Sequence, residues 1–155
     1  MTMKISTKGD YATRAMVDLA IHQLEGPASV RDIAERSGLP QAYLEQIMLG
    51  LKSSGLVTSR RGVQGGYLLA RDPSLITLDE IVEATEGRVA PLGCAETEPD
   101  HSCTEEGSCA LQLVWVRVRG AVSDILKSVT LADVAGQTLD FQKLSVTPKR
   151  QRVPG

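Results

Sequence analysis

Residues 29–70 most restrict what this chain can fold into: two helical periodicities meet at a Gly-Leu-Pro turn, followed by two short apolar runs around a basic, glycine-rich bend. Ser29 reads as the N-cap of a helix over Val30 to Arg36, with Gly38 as its stop. After Leu39-Pro40 a second helix is expected from Gln41 to Ser53, ending at Gly55. Helix, tight glycine turn and helix form the helix-turn-helix pattern. Leu56 to Ala70 then reads as a β-hairpin, with Arg60, Arg61, Gly62, Gly65 and Gly66 at its bend. A hairpin directly after a helix-turn-helix is a wing.

The flanking segments complete a mostly α chain. Ala12, Ala15, Met16, Leu19 and Ala20 recur at helical spacing, predicting a helix from Ser6 to about Gln23 that is capped by Thr7 and ended by Gly26-Pro27. Thr77-Leu78-Asp79-Glu80 opens a short helix to about Glu86. Residues 87–109 mix Gly, Pro, acids and all three cysteines without periodicity and read as a loop. A long amphipathic helix is expected from Leu111 to about Val129, with Leu111, Val114, Trp115, Val118, Val122, Ile125 and Leu126 on one stripe. Thr130-Leu131-Ala132-Asp133 looks like a fresh cap for a last short helix, and the polar segment from Gln137 reads as disordered. The expected organisation is therefore a winged helix-turn-helix domain over 1–86, a cysteine-bearing loop over 87–110, dimerisation and terminal helices over 111–136, and a tail over 137–155.

Charge separates these parts. The net charge is only −2, yet residues 1–72 are slightly basic and residues 79–110 hold nine acids (Asp79, Glu80, Glu83, Glu86, Glu96, Glu98, Asp100, Glu105 and Glu106) against Arg88 alone. In the second helix of the helix-turn-helix, Leu44, Ile47, Met48 and Leu51 form an apolar stripe, leaving Ala42, Glu45, Gln46, Leu49 and Ser53 on the opposite face. Glu accepts from a cytosine amino group and Gln pairs with adenine, while Arg60 and Arg61 on a glycine-rich wing suit phosphate and minor-groove contacts. The plainer alternative for Glu45 and Gln46 is a solvated helix face. Taken together with the wing, these residues predict a head that binds double-stranded DNA. Two histidines, no phosphate-binding glycine loop and no nucleophile with an evident base argue against an enzyme. The N-terminus lacks a signal-peptide pattern, no apolar run is long enough to span a membrane, and an odd cysteine count argues against a disulfide framework, so a cytoplasmic protein is expected.

Several runs resemble one family. Met3-Lys4-Ile5-Ser6-Thr7-Lys8-Gly9-Asp10-Tyr11-Ala12, Tyr43-Leu44-Glu45-Gln46, Arg61-Gly62 with Gly65-Gly66-Tyr67-Leu68-Leu69, and Thr130-Leu131-Ala132-Asp133 are similar to the Rrf2 family of winged-helix regulators, over about residues 3–136. The resemblance implies a homodimer joined by the long helix, as the apolar stripe also suggests, and a two-fold dimer calls for a near-palindromic operator. It also implies base contacts from Tyr43 to Gln46 and minor-groove entry by the wing at Arg61.

Cys94, Cys103 and Cys109 are spaced C-x8-C-x5-C. Thiolates ligate iron–sulfur clusters and zinc, so both remain open from the residues alone, beside a cluster-free repressor using Cys103 and Cys109 as a redox pair. The resemblance favours a cluster, because cluster-bearing members hold three cysteines in this loop, and a four-iron cluster is expected ahead of a two-iron one. This chain departs from the Isc-type members: its first gap is three residues longer, and Gln112 stands where they have histidine. The resemblance to nitric-oxide-responsive members implies Asp10 as the further ligand, from the partner subunit. The competing reading is that Thr7-Lys8-Gly9-Asp10 is a capping box. His101 is a second candidate, and His22 reads as a boundary histidine. The loop acids should lower the potential of a bound cluster.

Overall fold

The computed structural model describes residues 5–87 and 110–143. Cys94, Cys103, Cys109 and His101, most of the expected loop and the tail from residue 144 lie outside the described residues. Among the described residues, six α-helices and one antiparallel hairpin run in the order α1 (Thr7–Ile21), α2 (Val30–Ser37), α3 (Gln41–Ser53), β1 (Val57–Arg60), β2 (Gly66–Leu69), α4 (Leu78–Glu86), α5 (Ala110–Ser128) and α6 (Leu131–Lys143).

α1 is the central post, packed by α2, α3, α4 and α6. Its buried face is built largely from Ala12, Ala15 and Ala20 with Met16 and Leu19 between them. Small side chains let four neighbours approach one helix closely, and the longer side chains fill the gaps, so a core with few aromatics still closes. Ile33, Leu44, Ile47, Met48, Leu51, Ile76, Ile81 and Leu131 complete it, each almost fully buried. The predicted inward stripe of α3 is buried as expected.

The helix-turn-helix bend follows from local chemistry. Ser29 and Asp32 form a reciprocal capping box on α2, and Gly38 ends the helix in the left-handed conformation at φ 66°. The Leu39 N–H then donates to the Ala34 carbonyl at 3.0 Å while its side chain enters the core. Thr77 and Glu80 cap α4 in the same reciprocal way. At α6, the Thr130 N–H donates to Asp133 and the Asp133 N–H to the Thr130 hydroxyl.

Four expectations are corrected. Ser6, not Thr7, is the N-cap of α1, accepting from the Gly9 N–H, so Thr7 to Asp10 is not a capping box. α1 ends at Ile21, and a 3-10 turn over Gln23–Glu25 precedes Gly26. α5 is shifted one residue toward the N-terminus, Ala110–Ser128. α6 continues past residue 136 to Lys143, because its inner face, including Leu131 and Ala135, packs with α1. Polar composition alone hides that docking.

α5 has no buried residue. Its stripe is divided: Trp115, Val118, Val122 and Leu126 are half-buried, whereas Leu111, Val114 and Ile125 are exposed, Ile125 by 65%. The root of the helix is held at the head, with Ser123 donating to Asp79 and the Leu78 N–H to the Val129 carbonyl. No helix among the described residues is long and apolar enough to cross a membrane.

Candidate nucleic-acid interface

The outward face of α3 carries every residue the helical periodicity places there. Ala42, Glu45, Gln46 and Leu49 are exposed, and Tyr43 is 41% exposed. Gln41 donates to the Glu45 carboxylate at 3.3 Å, across one turn of the same face. Pro40 precedes the helix, no side chain caps its first turn, and no acid lies there. This leaves the positive end of the helix dipole open to an anion such as a DNA phosphate.

The first strand of the wing packs with α3, and the direction of the wing is set by backbone. Val57 pairs with Leu69 and Arg60 with Gly66, which places Arg60 at the last rung and Arg61 in the bend, both exposed. The hairpin is stitched to the start of α2: the Ala28 N–H donates to Tyr67 at 3.0 Å and the Tyr67 N–H returns to Ala28 at 2.7 Å. Gly66 permits that stitch, since a Cβ there would lie 2.5 Å from the Ala28 carbonyl carbon and oxygen. The two arginines are therefore presented from a hairpin with a fixed root.

Asp10 lies in the first turn of α1, half-exposed, where it accepts from Arg14 Nε at 2.9 Å. His22 is the half-buried boundary residue expected, its ring Nδ1 lying 2.9 Å from the Asp18 carbonyl. Among the described residues no group of three or more His, Cys, Asp or Glu side chains could hold a metal ion.

Two features escape the sequence reading. Asp18 is buried on α1, where Arg36 of α2 grips it through Nε and Nη2 at 2.7–3.2 Å. That hydrogen bond raises the Arg36 pKa, against the opposing effect of burial. The available signal was a carboxylate among Ala15, Met16 and Leu19 on an otherwise apolar face. The second is Glu86, the last residue of α4, whose carboxylate accepts from the Ser6 hydroxyl and, at 3.0 Å, from the Gly9 N–H. Contacts spanning about eighty residues leave no local pattern to find.

A helix-turn-helix with an exposed reading face, an uncapped reading helix and a two-arginine wing define a winged-helix DNA-binding protein. Comparison with known proteins agrees. The Rrf2 family profile, described as an iron-dependent transcriptional regulator, matches residues 5–137. The chain is 40% identical over 136 residues to the HTH-type transcriptional regulator CymR of Bacillus subtilis (strain 168), spanning 88% of this chain and 92% of CymR. It is 36% identical over 132 residues to the HTH-type transcriptional regulator IscR of Yersinia pestis, spanning 85% and 79%. Among solved structures, IscR of T. potens superposes with a TM-score of 0.71 at 41% identity, covering 90% of each chain. CymR of B. subtilis gives 0.70 at 39% identity, covering 86% of this chain and 97% of CymR. This chain belongs to the Rrf2 family, whose members are DNA-binding transcriptional regulators, generally dimeric, and not enzymes.

Proposed function

We propose that this regulator acts as a homodimer whose operator affinity is set by an iron–sulfur cluster on Cys94, Cys103 and Cys109, with Asp10 as the further ligand. The observation that carries the reading is the C-x8-C-x5-C segment in a chain whose family profile is described as iron-dependent. The donor chemistry fits: three soft thiolates can anchor a cluster, and a carboxylate can close the remaining position. Asp10 is accessible for that role. Its pair with Arg14 is exposed on both sides, and such a pair is worth no more than about 1 kcal/mol, so exchanging it for a metal bond costs little. A bound cluster would supply redox and nitric-oxide sensitivity. The chain supplies the transmission, since the cysteine segment follows α4 directly and Glu86 of α4 caps α1, the helix bearing Asp10.

The decisive experiment is anaerobic purification followed by absorbance and iron and sulfide analysis. Brown protein with about stoichiometric iron and sulfide is expected. Asp10→Ala should keep the dimer but yield a labile or altered cluster, while His101→Ala should leave the absorbance intact. Cluster loss should shift operator affinity by about 5–150-fold, the usual range of allosteric coupling.

A second reading is favoured by the similarity to CymR, described as the global cysteine regulator of B. subtilis. On it the chain responds to thiol status without a cluster, with Cys103 and Cys109 as the redox pair. Colourless protein without iron, whose DNA affinity still depends on Cys103 and Cys109, would select that reading.

A further inference from the structure

The contacts at the start of α1 lead to the DNA-reading helix by a route that no sequence motif marks. Glu86 takes the Ser6 hydroxyl and the Gly9 N–H onto one oxygen, so the first turn of α1 is capped from the end of α4 rather than only from its own N-cap. Gly9 is required for this approach: a Cβ there would lie 2.6 Å from Glu86 Oε1 and 2.9 Å from Ile5 Cγ2. Gly9 is buried, and Thr13 returns its hydroxyl to the Gly9 carbonyl at 2.9 Å, so both backbone polar groups of Gly9 are tied by side chains. Two residues further along α1, the half-buried Tyr11 ring meets the ring of Tyr43 edge to face, with centroids 5.7 Å apart and planes at 73°. Tyr43 lies in the uncapped first turn of α3, beside Glu45 and Gln46.

From this geometry we infer that Glu86 and Tyr11 are positioning residues for DNA recognition: Glu86 fixes the start of α1, and Tyr11 braces the first turn of the reading helix through Tyr43. The inference rests on the reading face of α3 being the base-contacting surface. The first turn of α3 has no side-chain cap of its own, so its placement depends on packing: Leu44 is buried in the core, and the Tyr43 ring reaches back to α1 at Tyr11 on the half-exposed side. Neither Glu86 nor Tyr11 needs to touch DNA. They act by setting where Glu45 and Gln46 are held, to which base discrimination is sensitive at the sub-ångström level.

The test uses the full-length protein and two duplexes: one selected by the wild-type protein from a randomised pool, and a scrambled version of it. The quantity read is the ratio of the two affinities, alongside the thermal midpoint. Tyr11→Leu keeps apolar bulk but removes the ring, and should lower the ratio by about two- to tenfold, the usual worth of such an aromatic pair. Tyr11→Phe should restore it. In a double-mutant cycle, Tyr11→Leu combined with Tyr43→Leu should lower the ratio no further than Tyr43→Leu alone. Glu86→Ala and Gly9→Ala, which break the cap from opposite sides, should lower the ratio in the same direction, and Glu86→Gln, which still accepts both hydrogen bonds, should retain it. Additive losses at Tyr11 and Tyr43, or an unchanged ratio in Glu86→Ala and Gly9→Ala, would overturn the inference. Glu45→Ala and Gln46→Ala are measured in parallel. If they change base preference while the other variants do not, the bracing is wrong and the interface stands; if they do not, the interface itself has failed.

Discussion

Asp18 and Arg36 show how a single pair constrains the head. The carboxylate is only 8% exposed, while the guanidinium it binds is 30% exposed, so the two partners are not equivalent. Removing the carboxylate leaves a cation that water can reach. Removing the guanidinium leaves a buried anion whose remaining charged partner among the described residues is His22, 3.3 Å away and charged only when protonated. Asp18→Ala should therefore cost about 1–3 kcal/mol and Arg36→Ala about 3–5 kcal/mol. Chemical denaturation of both variants checks the order, and equal losses would mean that Asp18 is better solvated than its burial implies. Neither residue belongs to the reading face, so discrimination between DNA sequences should survive in whatever fraction remains folded.

At the scale of elements, α3 and the wing are expected to divide the labour of DNA binding. Glu45 and Gln46 project from the exposed face of α3, so replacing either by Ala should change discrimination by about 1–3 kcal/mol at one or two base pairs. A uniform loss across sequences would make them positioning residues instead. Arg60→Ala should weaken binding to all sequences and reduce the salt slope by about one, as expected for a phosphate contact. The helix caps carry the pH dependence. Hydrogen bonds from the Ser29 hydroxyl and backbone lower the Asp32 pKa, and those from the Thr130 backbone and hydroxyl lower that of Asp133. Carboxylates with depressed folded pKa values stabilise above their unfolded values, near pH 4, and that contribution disappears as pH falls through the lowered ones. α2 and α6 should thus hold through mild acid and loosen below about pH 4. Thermal melts of Asp32→Ala and Asp133→Ala should each show part of that loss already at neutral pH and a smaller further drop on acidification than the wild type.

For the molecule as a whole, α5 poses the main question. A helix over Ala110–Ser128 with no buried residue, and with Leu111, Val114 and Ile125 exposed along one stripe, is too apolar to remain uncovered. A second copy of the same helix covers it in the proposed homodimer. Sedimentation at micromolar concentration should give a dimer, and Val114→Asp combined with Ile125→Asp should give a folded monomer with much weaker operator binding. The operator should then be a near-palindrome with half-sites about 10 bp apart or a multiple of that. A wild-type monomer, or an asymmetric single site, would refute this assembly.

Much of the architecture is local and is therefore written into the chain. Apolar periodicity, Ser29 and Gly38 around α2, and the glycines between two short apolar runs are sufficient to identify helix, turn, helix and wing, because each depends on residues within a few positions of one another. The outward residues of α3 follow from the same 3.6-residue period. Tertiary structure alone decided what depends on distant partners. Glu86 joined Ser6 in capping α1, Asp18 found Arg36, Ala28 stitched the wing, and α1 drew α6 onward to Lys143. Each of these is a contact whose energy appears only after the core has closed, so no periodicity along the chain can announce it.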